Sequence, residues 1–131
     1  MRQLIWEQPK RQREKASRHA DVSCKLNKSG RTTDGKQRYS IAFRFSDDAE
    51  RRIMQGRDRI TFAVTEDRVY FKSCETDGFS LNRTINGKKV RPYFRADAQE
   101  PMYWLIHQGE YDLNYDPEER LCYIDLRRKI R

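Results

Sequence analysis

Apolar and polar residues alternate along most of the chain, with the alternation broken at a few turn and cap signals. In 21–27, Val22, Cys24 and Leu26 fall on one side, Ser23 and Lys25 on the other, which predicts a half-buried strand. Residues 27–38 carry Gly30 and Gly35 among turn formers and read as a long, basic hairpin loop. A second strand follows, with Tyr39, Ile41, Phe43 and Phe45 alternating against Ser40, Ala42 and Arg44. The period then changes. Ser46 is a good N-cap, and Asp47 and Asp48 set negative charge at the positive end of a helix over about 46–55. Ala49 and Ile53 share its inner face, Arg51 and Arg52 the outer one, and Gly56 supplies the stop. So short a helix is not stable alone and must pack on the sheet.

Three further hairpins are expected. Ile60, Phe62 and Val64 face Val69 and Phe71 across a two-residue Glu66-Asp67 turn, pairing Val64 with Val69 and Phe62 with Phe71. Asn86-Gly87 closes the next, because both residues tolerate positive φ. That closure sets Ile85 opposite Lys88, Arg83 opposite Val90 and Leu81 opposite Pro92. One face then holds Phe79, Leu81, Ile85, Val90 and Phe94; the other holds Ser80, Asn82, Thr84, Lys89, Arg91, Tyr93 and Arg95. In the last, a three-residue loop of Pro117, Glu118 and Glu119 pairs Asp116 with Arg120, Tyr115 with Leu121 and Leu113 with Tyr123. Between these, residues 102–107 are apolar and aromatic. Pro101 and Gly109 would suit a short helix, but the short length and the Tyr103-Trp104 content favour a buried strand. His107, at its edge, reads as a structural histidine. The fold expected is α+β, mainly β: an antiparallel sheet or small open barrel of successive hairpins, with one short helix.

Gly56, Asp58, Ile60, Phe62, Val64, Asp67, Arg68, Val69 and Phe71 follow a strand and short helix in a pattern that resembles the AbrB/MazE-type swapped-hairpin DNA-binding regulators. The resemblance spans residues 39–72, about a quarter of the chain, and implies DNA binding and dimerisation. Where that family tends to have an Ile-Pro type junction between strand and helix, this chain has Phe45-Ser46.

Length and charge sharpen the picture. The 131 residues make room for one domain with a modest core. With 36% hydrophobic and 37% charged residues the surface must be thickly charged, while 11% aromatics argue against general disorder. The net charge of +8 is uneven. Residues 1–38 hold 11 Lys and Arg against 4 Asp and Glu, residues 39–125 hold 13 against 16, and residues 126–131 add 4 basic residues and no acid. This divides the chain into a basic N-terminal arm over 1–20 and a single β-rich domain over 21–131 with a basic C-terminal tail. Three widely spaced cysteines, Cys24, Cys74 and Cys122, do not form a disulfide framework and suit a reducing cytoplasm. No apolar run reaches membrane-spanning length, and Leu4-Ile5-Trp6 is too short for a signal peptide.

Candidate chemistry favours binding over catalysis. Glu110, Asp112 and Asp116 form a row on one strand face, whereas a Mg²⁺ site of the nuclease type needs carboxylates converging from several elements. The cysteines and histidines lack zinc spacing, and no phosphate-loop or nucleophile-elbow motif occurs. No cofactor is implied. Lys89, Arg91, Tyr93 and Arg95 instead alternate cations with an aromatic, which lets a sheet stack a base while neutralising phosphates. Lys10, Arg11, Arg13, Lys15 and Arg18 of the arm, and Arg127, Arg128 and Lys129 of the tail, would add phosphate contacts. The expectation is a non-enzymatic nucleic-acid-binding protein, DNA ahead of RNA. The alternative is a protein-binding accessory factor or inhibitor of a nucleic-acid-processing complex, in the manner of phage anti-CRISPR proteins, using exposed aromatics and arginines as anchors.

Overall fold

The computed structural model describes residues 20–131, so the arm residues Lys10, Arg11, Arg13, Lys15 and Arg18 lie outside the described part. Among the described residues ten strands form two antiparallel sheets. Along the chain these are β1 (Val22–Arg31), β2 (Gln37–Phe45), β3 (Arg59–Val64), β4 (Arg68–Cys74), β5 (Phe79–Ser80), β6 (Asn82–Ile85), β7 (Lys88–Asp97), β8 (Gly109–Tyr111), β9 (Asn114–Asp116) and β10 (Leu121–Asp125). Helix α1 (Asp47–Met54) joins β2 to β3, and α2 (Pro101–His107) joins β7 to β8. The first sheet runs β6-β7-β2-β1-β8, the second β5-β3-β4-β10-β9. The mainly β, α+β expectation holds. The sheets remain two separate ladders and do not close into a barrel.

The inward halves of the alternating patterns meet between the sheets. Phe43 of β2 packs edge-on to Phe71 of β4 with centroids 5.3 Å apart, stacks with Phe94 of β7 at 5.4 Å and meets Trp104 of α2 at 5.8 Å. Val22, Ile41, Phe45, Ile60, Val69 and Ile124 complete a solvent-free centre. Such aromatic pairs add about 0.5–1.5 kcal/mol each beyond burial. Helix α1 starts as expected, with the Ser46 hydroxyl accepting from Ala49 N at 3.1 Å, and buries Ala49, Ile53 and Met54. Its stop comes one residue early, at left-handed Gln55.

Two segments change sheet at single buried residues. Leu81 separates β5 in the second sheet from β6 in the first, and its N–H bonds Asp58 O at 3.0 Å. Leu113 does the same between β8 and β9, its N–H held by Asp21 Oδ2 at 2.9 Å. These corners tie both edges of the sandwich.

The β3–β4 hairpin has the expected register, Val64 opposite Val69 and Phe62 opposite Phe71. Four expectations are corrected. Residues 101–107 form a helix, because Pro101 starts it and only Trp104 is buried, too little apolar burial for a core strand. The long loop after Asn27 is mostly strand: β1 continues to Arg31 past an irregularity at Gly30, and only residues 32–36 turn. The Asn86-Gly87 hairpin pairs Ile85 with Lys88 but shifts beyond Thr84. Asn82 therefore meets Tyr93, and Leu81 leaves the ladder to enter the core. In the last hairpin Arg120 adopts φ 59 and lengthens the loop by one residue, pairing Asp116 with Leu121, Tyr115 with Cys122 and Asn114 with Tyr123. One added residue exchanges the faces of the strand.

Candidate nucleic-acid interface

Because Tyr39, Ile41, Phe43 and Phe45 turn inward, the other half of β2 faces out from the first sheet. Register then sets its neighbours. Lys25 and Arg95 flank Ala42 from either side; Ser23 and Tyr93 flank Arg44, with Asn82 beyond Tyr93; Asn27 and Asp97 flank Ser40. With strands about 4.8 Å apart, the backbones of Lys25 and Arg95 stand about 10 Å apart across a floor of small residues. The Tyr93 ring lies 5.3 Å from the Arg44 guanidinium and 5.7 Å from that of Arg95, within cation–π range. Lys25, Arg44, Lys88, Lys89 and Arg95 pair with no carboxylate among the described residues.

A cleft of 510 Å³ opens beside this face, lined by Phe79, Ser80, Asn82, Ile85, Tyr93 and Arg95. The sheet change at Leu81 and the register shift after Asn82 create it, since together they draw the chain away from the ladder. Phe79 is 37% exposed while its ring stacks on buried Phe94 at 5.3 Å and 26°. The cleft thus combines two aromatic rings, a guanidinium, a hydroxyl and an amide. That set can stack a base, pair with its edge and meet a phosphate.

Charge is divided between the sheets. Residues 22–45 carry Lys25, Lys28, Arg31, Lys36, Arg38 and Arg44 against Asp34 alone, and residues 82–97 carry Arg83, Lys88, Lys89, Arg91 and Arg95 against Asp97 alone. In the second sheet, residues 59–74 hold three basic and two acidic residues, and residues 114–125 hold Arg120 against Asp116, Glu118, Glu119 and Asp125. The positive potential therefore belongs to the first sheet.

The residues singled out from sequence fall into two groups. Lys89, Tyr93 and Arg95 lie on the open face. Arg91 is half-buried: its Nη2 donates to Ala20 O at 3.1 Å, and its Nε is shielded with no partner among the described residues. Burial lowers the affinity of its guanidinium for the proton, with Glu110 opposing and Arg44 adding to that effect. Ala20, the first described residue, is thereby held against Arg91.

The tail is engaged within the fold. Arg127 forks onto Asp125 through Nε at 3.1 Å and Nη2 at 3.1 Å and reaches Asp67 at 3.3 Å. Arg128 stands 3.8 Å from Asp125, and Lys129 Nζ donates to Ile106 O at 2.9 Å. Glu110 N donates to Arg131 O at 3.0 Å and Ile130 N to Glu110 O at 2.7 Å, laying the last residues along β8.

The acidic row is dispersed. Glu110, in the first sheet, pairs with Arg131 at 2.7 Å; Asp116, in the second, accepts from Tyr70 at 2.8 Å and Arg68 at 3.1 Å. Among the described residues no group of three or more His, Cys, Asp or Glu is placed to hold a metal ion, and no helix is long and apolar enough to cross a membrane.

Lys25, Arg44 and Phe79 are the members of the face that sequence reasoning missed. Alternation already turns Lys25 and Arg44 outward. What was missing was the pairing of β2 with β7, a contact between strands far apart in sequence. Phe79 could not be found by alternation, because the chain changes sheet two residues later. Compared with protein-family models, curated proteins and solved structures, the chain matches none.

Proposed function

We propose that the protein binds nucleic acid without catalysis, DNA ahead of RNA, through the outer face of the first sheet. The observation that carries the proposal is the array of Lys25, Arg44, Tyr93 and Arg95, cations without carboxylate partners among the described residues, around a ring and next to an aromatic cleft. The basic residues Lys10, Arg11, Arg13, Lys15 and Arg18 would extend the phosphate contacts, and the AbrB/MazE-type resemblance of residues 39–72 supports both DNA and a dimer. Three free cysteines suit a cytoplasmic site of action. Electrophoretic mobility shifts with single- and double-stranded DNA and RNA at 50 and 200 mM salt test the proposal. Binding at 50 mM that weakens steeply at 200 mM is expected; no shift with any of the four at 50 mM refutes it.

A second reading, a protein-binding accessory factor or inhibitor of a nucleic-acid-processing complex, is favoured by one feature. Helix α2 turns Met102, Leu105 and Ile106 to solvent, at 69%, 48% and 65% exposure. A surface helix ordinarily presents polar residues there, and a contiguous exposed apolar face marks a contact surface. Capture of a protein partner that survives nuclease treatment is its test; loss of the partner on nuclease treatment counts against it.

A further inference from the structure

On the side of the molecule where α2 meets the tip of the β3–β4 hairpin lies a separate open cleft of 560 Å³. Its apolar wall is Phe62, Val64, Tyr103 and Trp104; its polar rim is Glu66, Asp97 and Glu100, with Thr65 and Gln99. Among the described residues no lysine or arginine lines it. In a chain of net charge +8 this is an inverted surface: three carboxylates around aromatic rings. Asp97 is held by Arg38 at 3.6 Å, while Glu66 and Glu100 pair with no cation among the described residues.

We infer that this cleft docks an arginine side chain of a partner protein, carried on a segment with apolar residues beside the arginine. A guanidinium is the cation whose flat face stacks on aromatic rings while its edge forks onto carboxylates. The charge complementarity excludes phosphate-bearing ligands from this cleft and separates it from the basic face of the first sheet. The apolar surface continues beyond the cleft. Val64 at its lip is 41% exposed, and Ile106, one helical turn beyond Tyr103, leads on to Met102. An open cleft with an apolar apron leaves a free small molecule half in solvent, whereas a peptide segment covers both parts. The inference gives the second reading above a specific surface and is independent of the nucleic-acid reading, whose Lys25, Arg44, Tyr93 and Arg95 do not line this cleft.

The test is an NMR titration of the full-length protein with blocked Leu-Arg-Leu, blocked Leu-citrulline-Leu and N-acetyl-arginine amide. Leu-Arg-Leu should give saturable shifts at Glu66, Glu100, Ile106 and the Trp104 indole. Citrulline, the neutral isostere, should bind at least fivefold more weakly, as should Leu-Arg-Leu to the E66Q/E100Q variant. Both glutamates are exposed, so the variant keeps its fold, which its unperturbed core resonances will verify. Absence of saturable shifts, or equal affinity for citrulline and arginine, overturns the inference. Equal affinity for N-acetyl-arginine amide overturns the assignment to a protein segment. Binding that emerges only after Lys10, Arg11, Arg13, Lys15 and Arg18 are replaced by glutamine would identify the chain's own basic segment as the occupant and overturn the assignment to a partner.

Discussion

The C-terminal residues depend on a glycine. A Cβ built at Gly109 would stand 2.5 Å from Arg131 O and 2.6 and 2.8 Å from Lys129 Cδ and Cγ. Lysine methylenes can move aside, but the Arg131 carbonyl belongs to the backbone that bonds Glu110. G109A should therefore lift the last three residues from β8. The loss includes two backbone hydrogen bonds, Glu110 N to Arg131 O and Ile130 N to Glu110 O, while the exposed Arg131–Glu110 and Lys129–Ile106 contacts add little. At about 1 kcal/mol net for each these bonds cost about 2 kcal/mol, and alanine at φ 152 adds backbone strain, so the variant should be destabilised by at least about 2 kcal/mol. Urea unfolding measures this as a lower midpoint at constant m. Deletion of residues 129–131 should cost a similar amount, and adding G109A to the deletion should cost only the strain of alanine at φ 152, less than the two separate losses summed, because both remove the same contacts. Amide exchange at Glu110 should accelerate in either variant. Full additivity of the two changes would refute the reasoning and assign Gly109's role to its own backbone conformation.

Other consequences are narrower. The Tyr103 hydroxyl is shielded from solvent without a partner among the described residues, and burial, followed by the Glu100 charge, pushes its pKa up; Y103F should stabilise the protein by about 1 kcal/mol in urea unfolding. S46A removes the cap of α1 and should cost about 1 kcal/mol, with S46D retaining most of the stability. Partners hold several carboxyls below their usual range in the folded state: Arg127 for Asp125, Tyr70 for Asp116 and Arg131 for Glu110. The folded protein then binds fewer protons than the unfolded chain at acidic pH. Their stabilisation should be complete above about pH 5 and fade as pH falls through the carboxylate range toward the depressed folded values; D125N should flatten that part of the stability profile. Burial raises the Cys24 thiol to about 12, so in the native state it should react with a thiol probe far more slowly than Cys74.

The strands, their inward faces and α1 were legible from the sequence because each is encoded locally, by alternation or by a cap such as Ser46. The β3–β4 register was legible for the same reason, since its turn has no room for an added residue. What escaped was set by distant contacts or single backbone angles. Left-handed Arg120 lengthens one loop, and the corners at Leu81 and Leu113 split apparently continuous strands between two sheets. The apolar run at 102–107 misled because apolar content ordinarily signals burial, whereas Met102, Leu105 and Ile106 face solvent. For the candidate face, Lys89, Tyr93 and Arg95 were readable as an alternating row. Lys25 and Arg44 became its neighbours only through the β1-β2-β7 order.

The account stands on the claim that the outer face of the first sheet contacts phosphates. Its most direct measurement is the salt dependence of nucleic-acid affinity, by fluorescence anisotropy with a single-stranded oligonucleotide, for the parent protein and the K25Q/R44Q/R95Q variant. If each of the three neutralises one phosphate, the slope of log K against log salt should become shallower by about 2 units, at roughly 0.7 per contact on a single strand. An unchanged slope, with affinity retained, would place the contacts elsewhere and contradict the account.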